Sequence, residues 1–110
     1  MQNKPLSYVY IAVRKDLSSK AYQAVQSAHA GIQATRQGLV KSLQHPILVL
    51  VTVENELDLL RLAAQLQNQG VRNTVFYEDD IEAYSALATE CIESENRKQR
   101  KVFRKMKLLR

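Results

Sequence analysis

Tyr22, Gln26, His29, Gln33 and Arg36 recur at intervals of three and four residues. On a helix turning about 100° per residue they form a polar stripe about 80° wide. Histidine is the side chain best suited to moving a proton near neutral pH, and a glutamine one turn away can hydrogen-bond a ligand. The same pattern also describes an ordinary helix flank whose polar groups meet water or one another. A second group, Glu78, Asp79, Asp80 and Glu82, lies in one short acidic run. It offers a carboxylate to orient a histidine, and it also reads as a solvated turn. Its spacing is a poor match to a cation loop, so no metal is expected there.

The basic residues are unevenly placed. Of sixteen Lys and Arg, eight fall in residues 94–110, against the single acid Glu95. The first 93 residues therefore carry eight basic and ten acidic side chains. The net charge of +5 belongs to the tail, and Arg97, Lys98, Arg100 and Lys101 are its first cations. Such asymmetry points to an acidic partner, most simply RNA, or to a solvated helical face. Val102, Phe103, Met106 and Leu109 recur at helical spacing. They predict a basic amphipathic helix packed on the body or closing a homodimer.

The elements that must position these groups follow from the apolar pattern. Residues 8–13, YVYIAV, predict a buried strand. Ser18 and Ser19 are N-cap candidates for a helix to about Gln37, ahead of Gly38. On it, Ala21, Val25, Ala28 and Ile32 share one side, expected to face the sheet, with the polar stripe at the margin of the core. After His45-Pro46, ILVLVTV at 47–53 predicts a central strand covered on both faces. A second helix is expected from about Asn55 to Gln69, with Glu56 and Asp58 at its positive end and Gly70 beyond it. Residues 73–77 predict a third strand and 84–92 a weaker fourth. The order β-α-β-α-β-β implies a single α/β domain: a mixed, mostly parallel four-stranded sheet covered by helices, with the basic C-terminal helix added. Residues 1–93 form the body and 94–110 the tail.

With 110 residues, 45% hydrophobic and 25% charged, the chain suits one globular domain. No apolar run approaches the roughly 20 residues that cross a bilayer, so no membrane partner is expected. The first five residues lack a signal-peptide core, and Cys91 is the lone cysteine. These features make the cytoplasm the expected compartment.

Arg14-Lys15-Asp16-Leu17, followed by Gln26-Ser27-Ala28-His29-Ala30, resembles the archaeal-type (second) family of peptidyl-tRNA hydrolases. That family shows R-x-D-L and then a helix with K-x-x-A-Q-x-x-H-A. The resemblance covers roughly residues 7–92, including the element order. It implies hydrolysis of the ester between a peptide and the 3′ end of tRNA, without metal or organic cofactor. Gln26 and His29 match the motif, while Tyr22 stands where the family has lysine. Lys20 lies two residues earlier, about 200° round the helix. The family's D-A-G-R-T-Q segment is replaced by Glu78-Asp79-Asp80-Ile81-Glu82, so that Glu78 or Asp79 would supply its carboxylate. Ser85 is the nearest hydroxyl to its threonine. The chain also resembles a divergent branch of the family. It has A-Y-Q-A-x-Q-x-x-H-A on the helix, as in Ala21–Ala30, and a C-terminal R-x-x-F-R-K-x-x-L-L, matching Arg100–Leu109.

The resemblance implies that His29 orients or deprotonates water, with Glu78 or Asp79 fixing its tautomer and Gln26 donating to the substrate carbonyl. Arg14, Lys20, Tyr22, Gln33 and Ser85 would border the substrate. Arg97, Lys98, Arg100 and Lys101 would contact phosphates, giving a salt-dependent affinity. A tyrosine hydroxyl, with its ordinary pKa near 10, cannot replace a cation at neutral pH. The competing expectation is therefore a binding module for RNA or protein that keeps the fold and has lost catalysis.

Overall fold

The computed structural model describes residues 6–41 and 45–109; residues 1–5, on which the signal-peptide reading rests, and residue 110 of the tail lie outside them. The elements are β1 (Ser7–Arg14), α1 (Lys20–Arg36), β2 (Ile47–Val53), α2 (Glu56–Asn68), β3 (Asn73–Glu78), β4 (Ala83–Thr89), β5 (Ile92–Glu93) and α3 (Arg97–Arg100). Both long helices start at the expected caps. The Ser19 side chain accepts from the Tyr22 N–H, and Asn55 accepts from the Asp58 N–H. Gly38 and Gly70 follow them with φ of 77° and 79°, the left-handed conformation that ends a helix.

The sheet is mixed, in the order β2-β1-β4-β3, with β5 pairing β1 beyond the end of β4. Among the described residues, only β1 and β2 run parallel, in a seven-residue register from Tyr8–Ile47 to Arg14–Val53. β4 pairs antiparallel with both β1 and β3, and β5 with β1. The expectation of a mostly parallel sheet is corrected: the short connection from β3 folds β4 back as a hairpin instead of crossing over. The single strand expected over 84–92 divides at Glu90-Cys91. There the Thr89 hydroxyl bridges the break, accepting from the Tyr10 N–H at 3.0 Å and donating to the Glu90 carbonyl at 2.8 Å.

β1 is the true centre. Its Tyr10 and Ala12 join Val51, Leu59, Leu62, Leu66 and Phe103 on the α2 side. Its Val9, Ile11 and Val13 join Ala30, Ala34, Ala86 and Ala88 on the α1 side. β2 is not the covered central strand that its apolar run suggests. It lies near the sheet edge, with Leu48 65% exposed.

The tail does not form the expected amphipathic helix. It makes one helical turn at α3, a 3-10 turn over Lys101–Lys105, and then an extended segment. That segment pairs antiparallel with β2 at Val51–Leu108, with the Thr52 N–H donating to Lys107 at 2.8 Å and the Leu109 N–H donating to Leu50 at 3.0 Å. Phe103 is buried and stacks on Tyr10 with ring centroids 3.9 Å apart. Met106 and Leu109 also pack on this chain's own clusters. The apolar side chains expected to close a homodimer therefore cover the body. No helix among the described residues is long and apolar enough to cross a membrane.

Candidate functional site

α1 lies across the sheet with the opposite face inward from the one its apolar pattern suggests. Gln23, Gln26, Ser27, Ala30 and Ala34 are buried, whereas Val25 and Ile32 are 50% and 57% exposed. The buried face is about half a turn from the Ala21-Val25-Ala28-Ile32 stripe. Two causes act together. Ala30 and Ala34 let the helix approach the small Ala86 and Ala88 of β4 closely. The buried glutamines then find partners, Gln23 at the Lys15 carbonyl before the helix and Gln26 at Glu78 of β3 and Ser85 of β4, so their burial leaves no amide unpaired.

Those partners follow a regular pattern. Along β3, Thr74, Phe76 and Glu78 are two residues apart and share a face. Along α1, Gln33, His29 and Gln26 step back by four and three residues. Gln33 donates to the Thr74 hydroxyl at 2.6 Å and to the Val75 carbonyl at 3.2 Å. His29 stacks on Phe76, with centroids 4.7 Å apart and planes 6° from parallel. Gln26 donates to Glu78 Oε1 at 2.7 Å and accepts from the Ser85 hydroxyl. The polar stripe is thus a seam between helix and strand.

At the end of this seam, Ser85, Gln26 and Glu78 form one hydrogen-bonded chain. Ser85 and Gln26 are fully buried, and Glu78 is at the edge of solvent. The hydrogen bond from Gln26 is the chief reason that the Glu78 carboxyl is held below the ordinary carboxylate range. Burial opposes that shift, while the Asp80 N–H, the charge of His29 and the Asp79 N–H reinforce it. Asp79 and Asp80 form an exposed 3-10 turn that Glu78 caps, and Glu82 closes the turn in the left-handed region at φ 49°. Among the described residues, no group of three or more His, Cys, Asp or Glu could hold a metal ion.

Several assigned roles are corrected. His29 is exposed, and the ion pairs among the described residues, Arg14–Asp16, Lys15–Glu54, Arg61–Asp58 and Arg72–Glu90, do not include it. The carboxylate expected to fix its tautomer is bound to Gln26, and His29 reaches Glu78 through its charge instead. Gln26 cannot meet a substrate carbonyl, because both ends of its buried amide are engaged. Ser85 is sealed in the same way, and Gln33 is bonded to β3.

Around the seam, Tyr22 has a buried hydroxyl without a hydrogen-bond partner. Burial raises its pKa, and the nearby charges of Glu78 and Asp80 raise it further, so it is a neutral phenol at physiological pH. Arg14 forms a two-pronged pair with Asp16, at 2.8 and 3.0 Å, and donates to the Tyr84 carbonyl at 3.1 Å. Its pKa is raised first by the hydrogen bond to Asp16. Lys20 lies elsewhere, in a groove with Lys15 and Lys107.

The tail cations separate as well. Arg97, Lys98 and Lys101 are exposed. Arg100 is not available in the same way: it donates to the Tyr10 hydroxyl at 3.1 Å and to the Ser94 carbonyl at 2.8 Å, and lies 3.9 Å over the Tyr8 ring. It clamps the tail to β1.

Two contributors escape a motif-based reading. Phe76 carries the His29 ring, and period-two alternation from Glu78 would have found it. Glu56, at the start of α2, accepts from the Tyr84 N–H at 2.7 Å and so holds the strand next to Ser85. Its only sequence signal is an acid at a helix start, which the helix dipole already explains. No protein-family model matches this chain, and no curated protein matches it.

Proposed function

We propose that this chain is a peptidyl-tRNA hydrolase-like protein acting on the ester between a peptide and the 3′ end of tRNA. The observation that supports the reading most is the meeting of Gln26, Glu78 and Ser85, which are 52 and 59 residues apart when counted from Gln26. They come from three elements, with His29 beside them, and they are residues selected by the motif resemblance. In this reading His29 takes a proton from water as the water oxygen attacks the ester carbonyl. The proton then passes to the departing ribose oxygen, so the peptide leaves as an acid and the tRNA as an alcohol. Glu78 is the positioning carboxylate of this reading, fixed in place by Gln26 and, through it, Ser85. Arg97, Lys98 and Lys101 supply exposed cations for phosphates.

Release of peptide from purified peptidyl-tRNA tests the reading. His29→Ala should lower the rate by roughly 100-fold or more, the usual contribution of a general base. A variant that releases peptide at the wild-type rate would remove His29 from the chemistry.

A second reading is favoured by Tyr22. A neutral phenol beside two acids, where the resemblance expects a lysine, supplies no positive charge to a developing oxyanion. On that reading the chain binds RNA without cleaving the ester. Wild-type protein that binds tRNA but releases no peptide would establish it.

A further inference from the structure

The C-terminal end of β2 gathers three lysines that are far apart in the sequence. Lys15 follows β1, and its N–H donates to the Val53 carbonyl at 2.8 Å. Lys107 lies in the tail, where its carbonyl accepts from the Thr52 N–H at 2.8 Å. Lys20 is the first residue of α1, directly after the Ser19 cap. The three line one groove of about 680 Å³, together with Thr52, Met106 and Leu108. Among the described residues no Asp or Glu lines it, and all three lysines are exposed. Lys15 meets Glu54 at 3.2 Å, a pair open to solvent and so worth little. Among the described residues, Lys20 and Lys107 have no ion-pair partner. The first turn of α1 holds no acid, so its positive end adds to the same field.

Backbone hydrogen bonds fix where these cations sit, while the ammonium groups stay free to move. A small phosphorylated molecule is held by directed donors, such as nests of backbone N–H groups or arginine forks. This groove offers point charges beside apolar side chains instead, which suits a chain of phosphates passing over it. Lys20 is also nine residues before His29, about 13.5 Å along the helix axis, so a strand that ends at His29 can reach the groove. We propose, on the reading that this chain meets RNA, that the groove binds consecutive phosphates of an RNA backbone, with Lys15, Lys20 and Lys107 as its cations. Cleavage of the ester is not required.

The test is binding of labelled tRNA to the full chain, read by fluorescence anisotropy over a series of salt concentrations. Lys20→Ala and Lys107→Ala should each weaken binding and reduce the slope of log K against log salt by about 1, the share of one phosphate contact. The triple variant Lys15→Ala/Lys20→Ala/Lys107→Ala should bind about tenfold or more weakly at about 0.1 M salt. Its circular dichroism melt should stay that of the wild type, because all three side chains are exposed. Lys41→Ala, an equal loss of charge beyond the other end of α1, should leave affinity and slope unchanged. Wild-type protein that binds no tRNA, a triple variant with wild-type affinity and slope, or an effect of Lys41→Ala as large as that of Lys20→Ala would overturn the proposal. So would displacement of the tRNA by inorganic phosphate or by polyglutamate at matched ionic strength, which would assign the groove to a small anion or to an acidic protein. Lysine-dependent binding by a protein that releases no peptide would support the groove while removing ester hydrolysis.

Discussion

Gln26 satisfies two partners at once, and neither has another strong connection across the core. Replacing it by methionine keeps the volume but orphans the buried Ser85 hydroxyl. The expected loss is about 1–3 kcal/mol, the usual cost of a buried unpaired polar group, measured by urea unfolding. The same substitution frees Glu78 from its chief hydrogen bond, so its carboxyl should titrate closer to the ordinary range. The sign for stability follows from linkage. Glu78 titrates lower in the folded chain than in the unfolded one. Its contribution is therefore complete above the ordinary carboxylate range and disappears as pH falls through the lowered folded value. Glu78→Gln should make the acid limb of the stability curve shallower, while leaving the neutral-to-alkaline limb unchanged in shape. Unfolding midpoints taken across that pH series would show it, and an unaltered acid limb would remove Glu78 from the pH response.

At the scale of elements, α1 is seated by small residues. Ala30 and Ala34 meet Ala86 and Ala88, so the helix approaches the sheet closely enough for its glutamines to reach β3. Ala34→Leu should push the helix away and cost about 1–3 kcal/mol through overpacking. The same change should disturb the His29–Phe76 stack, visible as a shift of the histidine ring resonances. This seating also decides what could be read from the chain. The extents of α1 and α2 were legible, because Ser19, Asn55, Gly38 and Gly70 mark them by local chemistry. β1, β2 and β3 were legible through apolar and β-branched runs, whereas β4 and β5 read as one strand because nothing local marks the break at Glu90-Cys91. The facing of α1 was not, because apolar periodicity weighs Val25 and Ile32 above alanines, and close packing rewards the alanines. The position of β2 was misread because an edge strand sheltered by a later segment carries the same apolar run as a central one. Gln26, Glu78 and Ser85 were legible as candidates but not as a connected set, since nothing local records a contact across more than fifty residues.

For the molecule as a whole, the basic tail is a structural closure as well as a charged surface. Phe103 fills the space beside Tyr10, Arg100 clamps Tyr8 and Tyr10, and Lys107 and Leu109 complete hydrogen bonds along β2. Phe103→Ala should cost about 3–5 kcal/mol, as expected for an aromatic side chain removed from a core, with the loss read from thermal or urea unfolding. A purely solvated RNA-binding arm would tolerate the change with no loss of stability. The residues of the tail therefore separate by position: Arg97, Lys98 and Lys101 are exposed, whereas Phe103 and Arg100 belong to the fold.

The pairing of Leu108 with Val51 has a consequence in time as well as space. A ribosome makes β2 more than fifty residues before the segment that shelters its outer edge. Until then the nascent chain carries an open row of backbone donors and acceptors flanked by ILVLVTV, a template for pairing with a neighbouring chain. Val51 and Leu108 are 57 residues apart, so this pairing can form only once the tail has been made. A chain ending before Lys107 should therefore aggregate more readily than the full chain, as light scattering during refolding would show.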